Sequence, residues 1–555
     1  MEEPTLQTLQ TLFATAAGLG VISHLLFFKR FEIDSHPLLL FVVFSLAPFV
    51  LHYTFATTHL LSYLLTATFT TSLFASIAVY RLYFHPLRHF PGRALAKLTQ
   101  LHSLTLTAKS GLKWHQILQS LHSQYGDYVR TGPRELSIAD PTAMHYILGY
   151  GAKPGKGPVY DSMEESVNTT RDREFHTQRR KVWDSSMKML VSTYTPQIEG
   201  FTSILLTRIR SSLNTPLTIN SVALHYSYDV ATQLAFGQAG GFISGNQTET
   251  AKSVMAGIKE ATFALGLLYH VPWIMTLLTT FAFLPGPMKG WNDWSERMLK
   301  ERKQRGSEKP DLMGYLIANT PDTKKGNNLL FAESRVIVAA GSDTTATALT
   351  TLFALLASSP PLVSQIREEI DPRLCNTPPT FSCATSYPVL DSIINETLRL
   401  YPPTLFASQR TNLDIPMFIP SSPLKPKSLS NEGTYIPRDT ILSMPTYTLH
   451  RDARNFSRPT EFIPERWTTK PELVLNRQAF IPFSTGMTNC PGKNLAMMEL
   501  RDVIARTVYE FDVCLPEGVG KNFEMETFMR GVKDCFMATV PDVDVVFMTR
   551  STAAR

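Results

Sequence analysis

The sequence predicts a mainly α-helical protein: a large helical domain with a small β-rich subdomain, set behind N-terminal transmembrane helices. Three observations carry this expectation. Apolar residues recur at helical spacing over long stretches from about Arg93 onward. Strand-like runs are short, as at Val129 to Leu136 and Thr440 to Met444. Two N-terminal stretches, Thr5 to Phe28 and Pro37 to Tyr80, contain no charged residue.

The first charge-free stretch has the length of one span. The second is too long for a single helix crossing a hydrocarbon core of about 30 Å, and the polar patch His52 to His59 divides it. Up to three transmembrane helices are therefore expected within residues 1–83, as an anchor that touches membrane lipid. Glu2 and Glu3 replace the basic start of a cleavable signal peptide, so the anchor is expected to stay attached. Lys29 and Arg30 follow the first span, and Arg81, Arg88, Arg93 and Lys97 follow the third. Basic residues favour the cytoplasmic side, which puts the bulk of the chain in the cytosol. Residues 84–92 contain His85-Pro86 and Phe90-Pro91-Gly92, which read as a stiff hinge because proline cannot continue a helix. Residues 93–555 then form the catalytic domain.

Composition narrows the classes. A net charge of +6 over 555 residues, with no dense Lys/Arg run interleaved with aromatics, argues against a nucleic-acid partner. The cysteines, at 375, 383, 490, 514 and 535, are odd in number, scattered and without a CxxC pair, so neither a disulfide framework nor a zinc site is expected. A reducing compartment agrees with the cytosolic placement.

Four constellations carry chemistry. Phe483-Ser-Thr-Gly486-Met-Thr-Asn-Cys490-Pro-Gly492 precedes a segment whose Met497, Leu500, Ile504 and Val508 share one helical face. Backbone N–H groups at a helix start stabilise a thiolate, and glycines let backbone approach a flat ligand closely. Glu396 and Arg399 lie three residues apart on one helical side and can pair. Pro464-Glu465-Arg466-Trp467 supplies a second arginine. Ala340-Gly341-Ser342-Asp343-Thr344-Thr345 sits inside a helical stretch from about Phe331 to Ala357. There a Thr344 hydroxyl bonding back to Ala340 would open a groove beside the Asp343 carboxylate.

In this order these motifs resemble the cytochrome P-450 family, from roughly Phe84 to the C-terminus, and most of all its fungal secondary-metabolism members. Phe483, Gly486, Cys490 and Gly492 match the family pattern FxxGxRxCxG. The resemblance implies the cytochrome P-450 fold and haem b (iron protoporphyrin IX), with Cys490 as axial ligand of the iron. It implies that Asp343 and Thr344 supply protons for O–O cleavage, and that Glu396, Arg399 and Arg466 form a structural triad. One position departs: Thr488 stands where the family usually has Arg or His, so a cation for a haem propionate is missing. His176, Arg180 and Arg410 are the candidates the resemblance offers in its place. By position in the family pattern, the resemblance implies that Val338, Ala340, Thr404, Leu405 and Phe406 line a pocket for an apolar small molecule.

The implied reaction is insertion of one oxygen atom of O2 into a C–H bond. No GxGxxG fingerprint or flavin pattern is present, so electrons would come from NADPH-cytochrome P-450 reductase. Two other readings stay open on sequence alone: a haem-thiolate isomerase or dehydratase that needs no reductase, and a membrane-bound binding protein without catalysis.

Overall fold

The computed structural model describes residues 5–31, 36–55, 57–245, 249–280, 287–306, 311–373, 386–405, 409–412, 415–420, 433–520 and 523–550. Phe406, Cys375 and Cys383 lie outside these residues, as does nearly all of the Pro/Ser/Lys-rich stretch 420–430, which reads as a surface loop.

Three N-terminal helices are present: α1 (Leu6–Ser23), α2 (Pro37–Phe55) and α3 (His59–Val79). With their π-helical extensions, the first and third run to Phe28 and Phe84, and each of the three is long and apolar enough to cross a membrane. At ~1.5 Å per residue even the 19 residues of α2 reach nearly 30 Å. Their apolar side chains are largely exposed, as a membrane anchor would require. Helices α1 and α3 approach closely because Gly20 leaves room for Ser72, whose Oγ donates to the Ala17 carbonyl at 2.9 Å. Small residues at a crossing serve this purpose in lipid, where apolar burial supplies no drive between helices.

After Phe84 the helical path stops, and Pro86–His89 forms a 3₁₀ turn. The buried Arg130 guanidinium fastens this junction by donating to the Arg81 carbonyl at 3.1 Å. Its own N–H donates to the Pro91 carbonyl at 2.7 Å.

The helices that build the interior are α4 (Arg173–Arg210), α5 (Ile219–Phe236), α6 (Lys324–Ser358), α7 (Pro388–Leu400) and α8 (Lys493–Glu510). Hydropathy and length alone also mark α6 as able to span a membrane, but 67% of its most apolar window is buried inside the protein, so it is the central core helix. It runs alongside α5 and meets α7 and α8. Leu349, Leu352 and Phe353 of α6, Ile394 of α7 and Ile504 and Val508 of α8 belong to one buried apolar cluster. The expected face of α8 is inward, with Met497, Leu500, Ile504 and Val508 all buried.

The main sheet has five short strands: β1 (Tyr128–Gly132), β2 (Glu135–Ile138), β3 (Gly155–Lys156), β4 (Arg410–Thr411) and β5 (Ile441–Ser443), in the order β1-β2-β5-β4-β3. The single run expected at 129–136 is therefore two antiparallel strands. Gly132-Pro133 breaks it, because proline cannot donate to a ladder and glycine tolerates the turn. In β3 and β4, Lys156 stands directly opposite Arg410. A two-stranded hairpin, β6 (Lys533–Cys535) and β7 (Met537–Thr539), lies near the C-terminus.

Candidate active site

The segment 483–492 makes a tight loop in front of α8. The Cys490 N–H donates to the Phe483 carbonyl at 2.9 Å and closes it. Gly486 has φ +73°, and a Cβ there would collide with the Leu148 carbonyl oxygen, so only glycine fits. Gly492 is the N-cap of α8, and the nearest atom to a Cβ at that position is Cys490 Sγ at 3.8 Å. Phe483 packs against the main core.

Cys490, Cys514 and Cys535 are free thiols, and of these three Cys490 is the exposed one. Protein nonetheless surrounds the thiol closely enough that burial is the largest influence on it. Burial pushes its thiol up from the ordinary range. The backbone N–H groups of Gly492 and Lys493 and the positive charge of Arg180 and Lys493 act in the opposite direction. That is the environment of a sulfur held at a helix N-terminus as a prospective thiolate.

In α6, Ala340 and Gly341 are exposed while Asp343 and Thr344 are half-buried. The Thr344 hydroxyl donates to the Ala340 carbonyl at 2.7 Å, the back-bond expected from the sequence. The Ser342 hydroxyl makes the equivalent bond to Val338. Burial raises the Asp343 carboxyl to about 7, and Tyr228 of α5 is raised by burial and by Asp343 beside it. Of the residues expected along a substrate pocket, Ala340 is exposed and Thr404 half-buried. Val338 and Leu405 are 0% and 1% exposed and pack in the core instead. Val338 falls on the face of α6 that meets neighbouring helices, two residues before the exposed turn.

On the far side of the loop, cations converge. His176 and Arg180 share one face of α4, four residues apart. Arg180 donates from Nε to Asp184 at 2.8 Å, and from its other nitrogens to the Asn489 carbonyl at 2.6 Å and Asn489 Oδ1 at 2.7 Å. It thus clamps the residue before Cys490. Arg410, 3% exposed, donates to Thr488 Oγ1 at 2.6 Å. Thr488 therefore positions a cation without being one. A further basic residue, Lys156, was not singled out from sequence. A cleft lined by Leu148, Lys156, His176, Arg410, Met487 and Thr488 opens beside them. Burial, then the charges of Lys156, Arg180 and Arg410, hold His176 down to about 4. Burial and the charges of Arg410 and Arg180 lower Lys156 to about 7. The nearby carboxylates are engaged, Asp184 by Arg180 and Asp172 as the N-cap of α4.

Below this lies a buried ionic knot. Glu396 of α7 accepts from Arg399 at 2.8 and 2.9 Å, from Arg466 Nε at 3.0 Å, from Trp467 Nε1 at 2.9 Å and from the Ile463 N–H at 2.9 Å. All three charged residues are almost wholly buried. Arg399 also donates to the His450 and Pro459 carbonyls. The His450 ring bonds the Arg399 carbonyl through Nδ1 and accepts the Ile481 N–H at Nε2. That arrangement fixes a neutral imidazole with the proton on Nδ1, and burial keeps it neutral by lowering its pKa to about 3. His450 thus ties the knot to the segment entering the cysteine loop, a link that no sequence motif announced.

These residues fit a haem: an exposed cysteine at a helix start, glycines that admit a flat ring, and a cluster of basic residues suited to two propionates. The family comparison decides the class of protein. The family model Cytochrome P450 matches residues 101–535. The chain belongs to the cytochrome P450 family. The P450 is 34% identical to cytochrome P450 monooxygenase nodW of Hypoxylon pulicicidum over 96% of this chain and 97% of that one. It is 35% identical to cytochrome P450 monooxygenase orf5 of Eupenicillium brefeldianum, over 86% and 94%. It is 31% identical to tryprostatin B 6-hydroxylase of Aspergillus fumigatus, over 91% of each. The chain is accordingly a P450 monooxygenase with a haem-thiolate cofactor, using O2, a redox partner and an organic substrate.

Proposed function

We propose that this P450 hydroxylates an apolar small molecule in fungal secondary metabolism, with Cys490 as the axial ligand of haem b. The observation that carries this reading is Cys490 itself, an exposed thiol in a tight glycine loop at the start of α8. When bound, the haem iron activates dioxygen, and a thiolate ligand favours O–O cleavage. The chain's own residues do the rest. Gly486 and Gly492 keep the loop low, and Arg180 and Arg410 hold it from α4 and β4. The Thr344 hydroxyl proton is committed to Ala340, so its lone pairs are free to accept a hydrogen bond and orient a proton donor. Asp343, raised to about 7, can hold and release a proton near neutral pH. Glu396, Arg399 and Arg466 brace the core beneath the loop.

Electrons are assigned to NADPH-cytochrome P450 reductase in the endoplasmic reticulum membrane, with residues 1–83 as anchor, 84–92 as hinge and 93–555 in the cytosol. Lys29, Arg30, Arg81 and Arg88 support that orientation. The test is turnover in reconstituted membranes with isotopically heavy dioxygen. We expect a product carrying one labelled oxygen that requires both NADPH and the reductase. Turnover that persists without the reductase and carries no label would favour the isomerase or dehydratase chemistry.

A further inference from the structure

Lys156 presents an electrostatic problem in the fold. In the antiparallel pair of β3 and β4 it stands directly across from Arg410, and residues so placed project from the same face of a sheet. Both side chains are buried, at 8% and 3% exposure. Like charges opposite one another destabilise a sheet even at a surface, and burial sharpens the repulsion. Lys156 Nζ donates to the carbonyls of Val167 and Asn168 at 2.8 and 2.6 Å. Arg410 donates to the Gln409 carbonyl and to Thr488. Among the described residues neither cation makes a salt bridge to a carboxylate. An ammonium has three donors, so Lys156 keeps one beyond the two carbonyls, and it lines the cleft shared with His176, Arg410 and Thr488. Thr488 offers a hydroxyl there and no charge.

We propose that Lys156 is a propionate-binding residue for the haem and supplies the positive charge that Thr488 does not. An anion seated between Lys156 and Arg410 turns a repulsive cross-strand pair into a two-pronged clamp. It also explains why the fold keeps both cations out of water. This inference rests on the haem-binding reading above.

The test measures haem transfer from the ferric holoprotein to excess apomyoglobin, followed in the Soret region. It compares the wild type with Lys156→Gln, Lys156→Arg and the double variant Lys156→Gln, Thr488→Arg. Glutamine keeps N–H donors for the Val167 and Asn168 carbonyls but carries no charge, so it separates the charge from the bracing of that loop. We expect Lys156→Gln to lose haem about 10-fold to 100-fold faster, the range for removing a group that supports a bound cofactor. Lys156→Arg should stay near wild type, and Thr488→Arg should slow the loss from the glutamine variant. Haem loss from Lys156→Gln at the wild-type rate would overturn the proposal, as would a double variant no better than the single one. A wild type that takes up no haem would instead overturn the proposed function itself.

Discussion

Glu396→Ala is expected to abolish the folded protein at ordinary growth temperature. The substitution leaves the Arg399 and Arg466 guanidinium groups buried at 0–1% exposure with no carboxylate between them. It also strands the Trp467 indole N–H and the Ile463 N–H. Removing one partner of a buried, hydrogen-bonded ion pair costs about 3–5 kcal/mol, a large part of the ~5–15 kcal/mol that stabilises a domain. The loss should spread to the cysteine loop, because Arg399 and His450 connect the knot to Ile481. Thermal unfolding and the yield of folded protein measure it. Glu461→Gln is the control: its carboxylate pairs with Arg458 in solvent, and exposed pairs contribute little. A Glu396→Ala protein that melts with the wild type would contradict a structural role for the knot.

The second large effect is expected at Thr344. Thr344→Ala removes the hydroxyl bonded to Ala340 and with it the acceptor that orients a proton donor in the groove. Positioned proton transfer contributes roughly 10²-fold to 10⁴-fold, so product formation should fall by about 10²-fold. NADPH consumption should fall far less, because nothing in the substitution blocks electron entry. Dioxygen that has gained two electrons but takes its two protons from water, rather than from a donor positioned for O–O cleavage, leaves as hydrogen peroxide, so peroxide per NADPH should rise. Thr344→Ser keeps the hydroxyl and should retain most of the product. Equal loss of product and NADPH consumption, without peroxide, would mean that Thr344 acts on binding or folding instead.

Much of this was legible in the sequence because it is local. Charge-free runs and the polar break at His52 to His59 locate three helices, since membrane insertion depends on contiguous composition. The cysteine loop and the Thr344 back-bond are encoded within ten and five residues. The Glu396 knot was legible as two short motifs, although the Trp467 and Ile463 contacts came only with the fold. What the sequence hid is contact between distant segments. Lys156 sits in Gly155-Lys-Gly157 with no motif around it, and only the pairing of β3 with β4 sets it against Arg410. His450 likewise acquires meaning only where α7 and the segment before the cysteine loop meet. Helical spacing alone did not separate Val338, which is packed, from Ala340, which is open. That distinction depends on which neighbours cover each face of α6.

The central claim is that Cys490 holds the haem iron as a thiolate, and the most direct measurement is the carbon monoxide difference spectrum of the reduced protein. Wild type and Cys490→Ser are compared at matched haem supply, with circular dichroism verifying the fold of each. The account predicts a strongly red-shifted Soret band in the wild type and its absence in the folded variant. A folded, haem-supplied wild type without that band, or a variant that keeps it, would contradict the account.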